Sequence, residues 1–248
     1  MKILGIIPAR YASTRFPGKP LVMIRGKTMI RRVYEQALKS DRLTSVVVAT
    51  DHQEIYDHVK SFGGYVLMTG EHHRSGTERC NEVADRLHQA GEDYDFVINI
   101  QGDEPFIEPG QINQVADCLI RSENSLVTLI KKIGSDEELT SPNVIKVAIG
   151  NNGSALLFSR SVIPFTRGKD PLEWLSSTTY YRHIGIYGYP AKILGKIIAL
   201  PESPLESAES LEQLRWLEHG YRIQTQITEY ESIAIDTPAD LSKITNRN

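Results

Sequence analysis

Hydrophobic residues recur along this chain in two alternating rhythms, short continuous runs and helical repeats. Ile3 to Ile7 is an apolar run of the kind that forms a strand buried on both faces. Met29, Ile30, Val33, Tyr34, Ala37 and Leu38 then recur at helical spacing and predict a helix over about 28–40. Val46 to Ala49 reads as a second strand, after which Asp51-x-x-Glu54 has the pattern of a capping box opening a helix through Ile55, Val59 and Phe62. Gly63-Gly64 should stop that helix. Tyr65 to Met68 is a third strand, and Cys80, Val83, Ala84, Leu87 and Ala90 mark the buried face of the next helix. A fourth strand at Phe96 to Ile100, a helix through Ile112, Val115, Ala116, Leu119 and Ile120, and a strand at Leu126 to Ile130 continue the alternation. Strands and helices in this order predict an α/β fold: a Rossmann-like, mostly parallel mixed sheet flanked by helices.

After Ser141-Pro142-Asn143 the texture becomes β-rich. Val144 to Ile149, the turn Asn151-Asn152-Gly153 and Ala155 to Phe158 read as a hairpin, and Arg182 to Tyr189 as a further strand. Arg167 to Thr179, between them, is polar and irregular, a loop expected over the site. Glu206 to Arg215 is expected to begin one helix with Leu211, Leu214 and Leu217 facing the core and most of its charges solvated. Ser232 to Ile235 reads as a last strand, followed by a helix with Thr237 as cap and Pro238 at its first position. The expected organisation is one domain with a nucleotide-binding half, 1–140, and a β-rich layer attached to it, 141–248, that carries substrate specificity.

Composition narrows the class. With 248 residues, 40% hydrophobic and 24% charged, the chain can build a core without staples. A net charge of −3 gives no electrostatic reason to expect nucleic acid as a partner, so any phosphate must be met by local cations. Cys80 and Cys118 both fall on apolar helix stripes and read as buried free thiols in a reducing compartment. No apolar run reaches the length of about 18 residues that a membrane span needs, and the first residues enter a strand at once, so a cytoplasmic protein without a membrane partner is expected.

The candidate chemistry clusters at strand ends. Pro8 to Leu21 follows the first strand and hangs Arg10, Arg15 and Lys19 from one loop, where each can meet a different phosphate oxygen. A solvated basic loop is the bland alternative. Gly26-Lys27-Thr28 looks like the tail of a Walker A loop, but Leu21 stands where that motif requires glycine, and a turn with a helix cap is the better reading. Ser75 and Glu78 form a capping pattern, while the helix they open aims free N–H groups outward. In Gln101-Gly102-Asp103-Glu104-Pro105, Asp103 either initiates a turn or holds a metal ion against phosphate, and magnesium needs only one or two carboxylates there. Asp236, at the end of the expected last strand, is a second carboxylate suited to the same ion. His183 and Tyr187 share a strand face and read equally as a half-buried face or as ligands.

Several of these stretches resemble one family. The pattern P-A-R-x-x-S-x-R-x-P-G-K-x-L at Pro8 to Leu21 is similar to the nucleotide-binding signature of the CMP-sugar synthetases, in the version that acts on 3-deoxy-manno-octulosonate (Kdo). The stretches S-G-T-E-R, Q-G-D-E-P, H-x-G-x-Y, L-E-Q-L-R and I-D-T-P-x-D-L are similar to further family motifs. The resemblance implies a nucleotide-diphospho-sugar transferase type of fold with a β-rich subdomain for substrate and dimerisation. It implies transfer of CMP from CTP to Kdo for lipopolysaccharide synthesis, with Mg2+ as cofactor and a homodimer as the assembly. It assigns nucleotide contacts to Pro8, Ala9, Arg10, Arg15, Lys19, Ser75, Arg79, Gln101 and Asp103. It assigns sugar contacts to Gln101, Arg160, His183, Tyr187, Glu212 and Gln213, and metal to Asp103 and Asp236. Catalysis then falls to Arg10, Lys19, Asp103 and Asp236, with no clear protein base. A cytidylyltransferase for sialate or 8-amino-Kdo would keep the nucleotide half and differ around Arg160, His183, Tyr187 and Glu212, and a non-catalytic nucleotide-binding module is the alternative of a different class.

Overall fold

In a computed structural model, residues 1–12, 16–122, 124–231, 234–235 and 237–245 are described. The chain opens with β1 (Ile3–Ala9), almost wholly buried. A two-residue hairpin, β2 (Met23–Ile24) and β3 (Lys27–Thr28), turns at Arg25 and Gly26, both at positive φ, so the false Walker motif is a turn. Then come α1 (Met29–Ala37), β4 (Ser45–Thr50), α2 (Gln53–Ser61), β5 (Val66–Met68), α3 (Gly76–Gln89), β6 (Phe96–Asn99), α4 (Pro109–Arg121) and β7 (Leu126–Lys132). The second half adds α5 (Asp136–Thr140), β8 (Lys146–Ile149), β9 (Ala155–Ser159), α6 (Trp174–Ser177), β10 (Tyr181–Pro190), α7 (Ala191–Ile198), α8 (Pro204–Glu209), α9 (Glu212–Glu218), β11 (Ile223–Ile227) and α10 (Pro238–Thr245).

The main sheet runs β11-β7-β10-β6-β1-β4-β5, with the β8–β9 hairpin extending from β10. β1, β4, β5 and β6 are parallel, as are β11 and β7, whereas β10 runs antiparallel to both neighbours. One face of the sheet packs Ile3, Ile7 and Ile98 against Val33, Ile55 and Ile112 of α1, α2 and α4. The other packs Leu4, Ile6 and Val97 against Cys80, Leu194 and Trp216 of α3, α7 and α9. Two apolar layers explain why the strands read as continuous runs: neither face meets water.

Several expectations need correction. The second half is not a layer laid against the first, because β10 inserts into the middle of the sheet between β6 and β7. Its buried run from Ile186 to Pro190 is what a central strand requires. Asp51 does not cap α2, whose N-cap is His52 with no side-chain bond, because the Asp51 carboxylate is taken by Arg79. The stretch 206–215 is two helices broken at Ser210, where φ is 52°. Its charges are not a solvated face: Arg215 is buried and bonds to Glu206 through Nε, 2.7 Å. Residues 171–177 form two short helical turns, and Trp174 packs with Ile133, Leu139 and Tyr180. β11 was hidden by its polar glutamines, whereas Ala234 and Ile235 are not in a strand and the rest of that expected strand, Ser232 and Ile233, lies outside the described residues. Both cysteines are buried free thiols, as their helix positions suggested. Among the described residues no helix is long and apolar enough to cross a membrane.

Candidate active site

Parallel pairing of β1 with β6 brings their carboxyl ends together, with Ile6 opposite Asn99. The chain segments leaving these ends, with the N-terminus of α3, line a cavity of about 300 Å³. Pro8, Ala9 and Arg10 come from β1 and its loop, Lys19 from the far end of that loop, Ser75, Gly76 and Arg79 from α3, and Gln101, Gly102 and Asp103 from the turn after β6. Two glycines make this closeness feasible. A Cβ on Gly102 would stand 2.6 Å from the Pro8 carbonyl oxygen, and Gly18 turns the loop at φ 68° just before Lys19. The loop is also held across its base, where the Gly18 N–H donates to the Tyr11 carbonyl at 3.1 Å and the Tyr11 ring stacks on His52 at 4.0 Å.

Within this cavity Lys19 Nζ lies 2.7 Å from Asp103 Oδ2. Arg10 is exposed and has no side-chain partner among the described residues, leaving its guanidinium for a ligand. Ser75 caps α3 by accepting the Glu78 N–H at 3.2 Å. Arg79 lines the wall, but its guanidinium is 3% exposed and donates inward to Asp51 at 2.6 Å and to the Thr69 hydroxyl. It ties α3 to the ends of β4 and β5. Arg15 and Asp236 lie outside the described residues, although the Ile235 N–H donates to the Asp103 carbonyl at 2.9 Å and brings the chain before Asp236 alongside Asp103. No group of three or more His, Cys, Asp or Glu among the described residues is arranged to hold a metal, so Asp103 is the described carboxylate that a phosphate-bound ion would meet.

A second cavity of about 280 Å³ adjoins the first and shares Gln101 and Asp103 with it. Arg182, His183 and Gly185 of β10 line it, together with Glu104 and Ala234. Here β10 departs from simple alternation, because its register against β7 shifts between Ile184 and Tyr187. Thr128 of β7 fills the irregularity: its hydroxyl lies 2.8 Å from the Ile186 carbonyl and 2.9 Å from His183 Nε2. A hydroxyl has one proton and a carbonyl can only accept, so His183 Nε2 is the donor and Nδ1 is left as an acceptor. Burial pushes the His183 pKa down to about 3, keeping the ring neutral.

The remaining expected sugar ligands sit on neighbouring elements. Tyr187 is buried against His183, Tyr189 and Trp216, its hydroxyl has no hydrogen-bond partner among the described residues, and burial raises its pKa. Glu212, the first residue of α9, accepts from the Ser75 hydroxyl at 2.9 Å and the Thr77 hydroxyl at 2.7 Å. Burial raises its pKa against the opposing effect of those two bonds. Gln213 is buried beside it in α9. Arg160 follows β9, where its backbone N–H donates to the Glu209 carboxylate and its Nε to the Glu209 carbonyl at 2.7 Å. Gln101 and His183 therefore share one cavity, whereas Arg160 lines neither cavity and Glu212 lines a separate one with Ser75, Glu206 and Arg215. Sequence reasoning passed over Thr128 and Glu209, and gave Asp51 a helix cap rather than its bond to Arg79. Only Asp51 carried a readable signal, since it directly follows a buried strand as Asp103 nearly does.

A family model described as cytidylyltransferase matches residues 4–227. A protein of Parabacteroides distasonis named 3-deoxy-manno-octulosonate cytidylyltransferase is 55% identical over 98% of this chain and 96% of its own length. One of Bacteroides thetaiotaomicron with the same name is 53% identical over 97% of this chain and 96% of its own length. Among solved structures, CMP:2-keto-3-deoxy-manno-octonic acid synthetase complexed with CTP superposes with a TM-score of 0.90 at 40% identity, covering 99% of this chain and 97% of that one. With matches of this identity over nearly its whole length, and Arg10, Lys19 and Asp103 brought together where the parallel strands end, this chain belongs to the cytidylyltransferase family.

Proposed function

We propose that this enzyme transfers CMP from CTP to Kdo, releasing pyrophosphate and forming CMP-Kdo for lipopolysaccharide synthesis. The observation that carries the reading is the pair of adjoining cavities joined at Gln101 and Asp103, one bearing Arg10 and Lys19, the other Arg182 and His183. That arrangement suits a triphosphate on one side, a sugar acid on the other, and the reacting atoms between them.

In this reading Pro8, Ala9, Ser75 and Gln101 form the nucleotide wall, braced by Arg79, while Arg10, Arg15 and Lys19 face the phosphates. Gln101, Arg160, His183, Tyr187, Glu212 and Gln213 face the sugar. The anomeric hydroxyl of Kdo attacks the α-phosphorus in line, a new P–O bond forms as the hydroxyl proton passes to solvent, and the bond to the β-phosphate oxygen breaks with its electron pair leaving on pyrophosphate. Arg10 and Lys19 offset charge on that leaving group. His183 is a poor candidate for a general base because its neutral ring is a donor at Nε2 and binds protons only in acid. It is better suited to accept a sugar hydroxyl at Nδ1.

Asp103 fits a magnesium ion: a hard carboxylate facing the cavity, already paired with a cation at 2.7 Å. Asp236 is the proposed second ligand. When bound, the ion would neutralise phosphate charge and lower the pKa of the attacking hydroxyl. We further propose a homodimer that works in the cytoplasm, with contact through the second half, where Leu156, Phe165 and Leu172 are 65%, 71% and 80% exposed. Sedimentation at twice the chain mass would support that assembly, and a monomer at micromolar concentration would refute it.

The reaction itself is tested by phosphorus NMR of the enzyme with CTP, Kdo and magnesium. The expected result is conversion of the triphosphate resonances into pyrophosphate and a single sugar phosphodiester. Formation of CDP would place cleavage at the wrong bond and overturn the reading.

A further inference from the structure

We infer that Lys146, a residue outside both cavities, is the positioning residue for Arg160 and so for selection of the sugar acid's carboxylate. The inference rests on the proposed role of Arg160 as a sugar ligand, and takes the sugar's carboxylate as the group its guanidinium meets. Lys146 lies on β8, directly opposite Ser159 of β9 on one side and Arg182 of β10 on the other. It is 0% exposed, and burying a lysine is costly unless its ammonium is satisfied. Its Nζ donates to the Ser141 carbonyl at 2.8 Å and the Val144 carbonyl at 2.7 Å, clamping the turn 141–144 from both ends.

Between those two carbonyls lies that of Pro142, which accepts from Arg160 Nη1 at 3.0 Å. The guanidinium is therefore held at Nε by Glu209 and at Nη1 by the clamped turn, while Nη2 makes no hydrogen bond among the described residues. An arginine fixed on two nitrogens presents its remaining N–H groups in one orientation, which is what a planar carboxylate needs. Burial lowers the Lys146 pKa, with nearby Glu209 opposing and Arg160 adding to the effect, so the ammonium belongs to the same local charge group as Arg160. Without the clamp, the turn keeps only its own Val144 N–H to Ser141 carbonyl bond, 3.2 Å, and the Asn143 N–H to Ser141 hydroxyl bond, 3.3 Å, and Arg160 loses a firmly anchored Pro142 acceptor beside Glu209.

Steady-state kinetics of Lys146→Met, Arg160→Ala and the double variant test this. Lys146→Met is expected to raise KM for Kdo about tenfold while kcat and KM for CTP stay within about twofold, and the double variant is expected to match Arg160→Ala, because a residue acting through another adds nothing once that other is gone. Equal rises in both KM values, or additive effects in the double variant, would overturn the inference and leave the role of Arg160 standing. If Arg160→Ala alone leaves KM for Kdo unchanged, the carboxylate is placed wrongly and the inference falls with it. Should Lys146→Met not fold, Lys146→Arg carries the test: its planar head keeps the charge but cannot cap both carbonyls in the same space, so a selective rise in KM for Kdo supports the inference and an unchanged KM overturns it.

Discussion

The nucleotide side of the site and its sugar side solve the same problem, holding polar groups in place, by opposite means. On the nucleotide side, Arg10 and Lys19 stand between the first strand and the first long helix, Arg10 without a side-chain partner among the described residues and Lys19 paired with the rim carboxylate Asp103. On the sugar side, His183 is fixed by Thr128, Glu212 by Ser75 and Thr77, and Arg160 by Glu209 and Pro142. A triphosphate brings strong charge and can be gripped by rim cations, here the exposed Arg10 and the half-buried Lys19. A sugar acid brings many weakly polar hydroxyls, which are discriminated only by donors and acceptors already in place. Substitutions on the nucleotide side should therefore separate activity from stability, whereas those at the hydrogen-bonded groups of the sugar side should change both.

The sharpest way to break this contrast is Asp103→Asn. Turnover should fall by about 10²–10³-fold or more, while thermal stability stays near that of the native protein, because a partly exposed ion pair contributes little to folding. A comparable loss of melting temperature would erase the distinction between the two sides. Next in size is a pH effect from His183. Its pKa is about 3 in the folded protein and near 6.5 unfolded, so the unfolded chain binds the extra proton as pH falls through that window. Stability should be fully present above pH 6.5 and decline toward pH 3, and denaturant midpoints measured across that range should flatten in His183→Gln. An unchanged slope in the variant would assign the acid sensitivity to other groups.

Glu212→Ala should remove about 1–3 kcal/mol of stability, since the Ser75 and Thr77 hydroxyls lose their buried acceptor, and should also raise KM for Kdo. An effect on KM alone, read beside chemical denaturation, would show that the carboxylate serves only the ligand. The smallest stability change is expected from Tyr187→Phe. Its hydroxyl is buried without a hydrogen-bond partner among the described residues, so removal should leave stability within about 0.5 kcal/mol or improve it, while KM for Kdo rises. A clear destabilisation would mean that the hydroxyl is satisfied in the unliganded protein.

The nucleotide side was legible because its residues follow one another along the chain. Pro8 to Lys19 and Gln101 to Asp103 each lie in a single stretch after an apolar run, and strand order alone brings them to one rim. The sugar side is assembled from β7, β9, β10 and α9, and its bonds join residues far apart, such as Ser75 to Glu212 and Lys146 to the Ser141 turn. Periodicity cannot show such pairs. It also misassigned the charges of 206–215, because a buried Arg215 paired with a half-buried Glu206 has the same spelling as a solvated helix face. β10 was recognised as a strand but not as the sheet's centre, since Arg182 and His183 at its start have the polarity of an edge.

The most direct measurement is pyrophosphate release by the purified enzyme with CTP and a panel of acidic sugars, with and without a chelator. Release with Kdo but not with sialate, abolished by chelation and restored by magnesium, is the predicted result. Equal release with sialate, or release indifferent to chelator, would contradict the account of the sugar side or of Asp103 respectively.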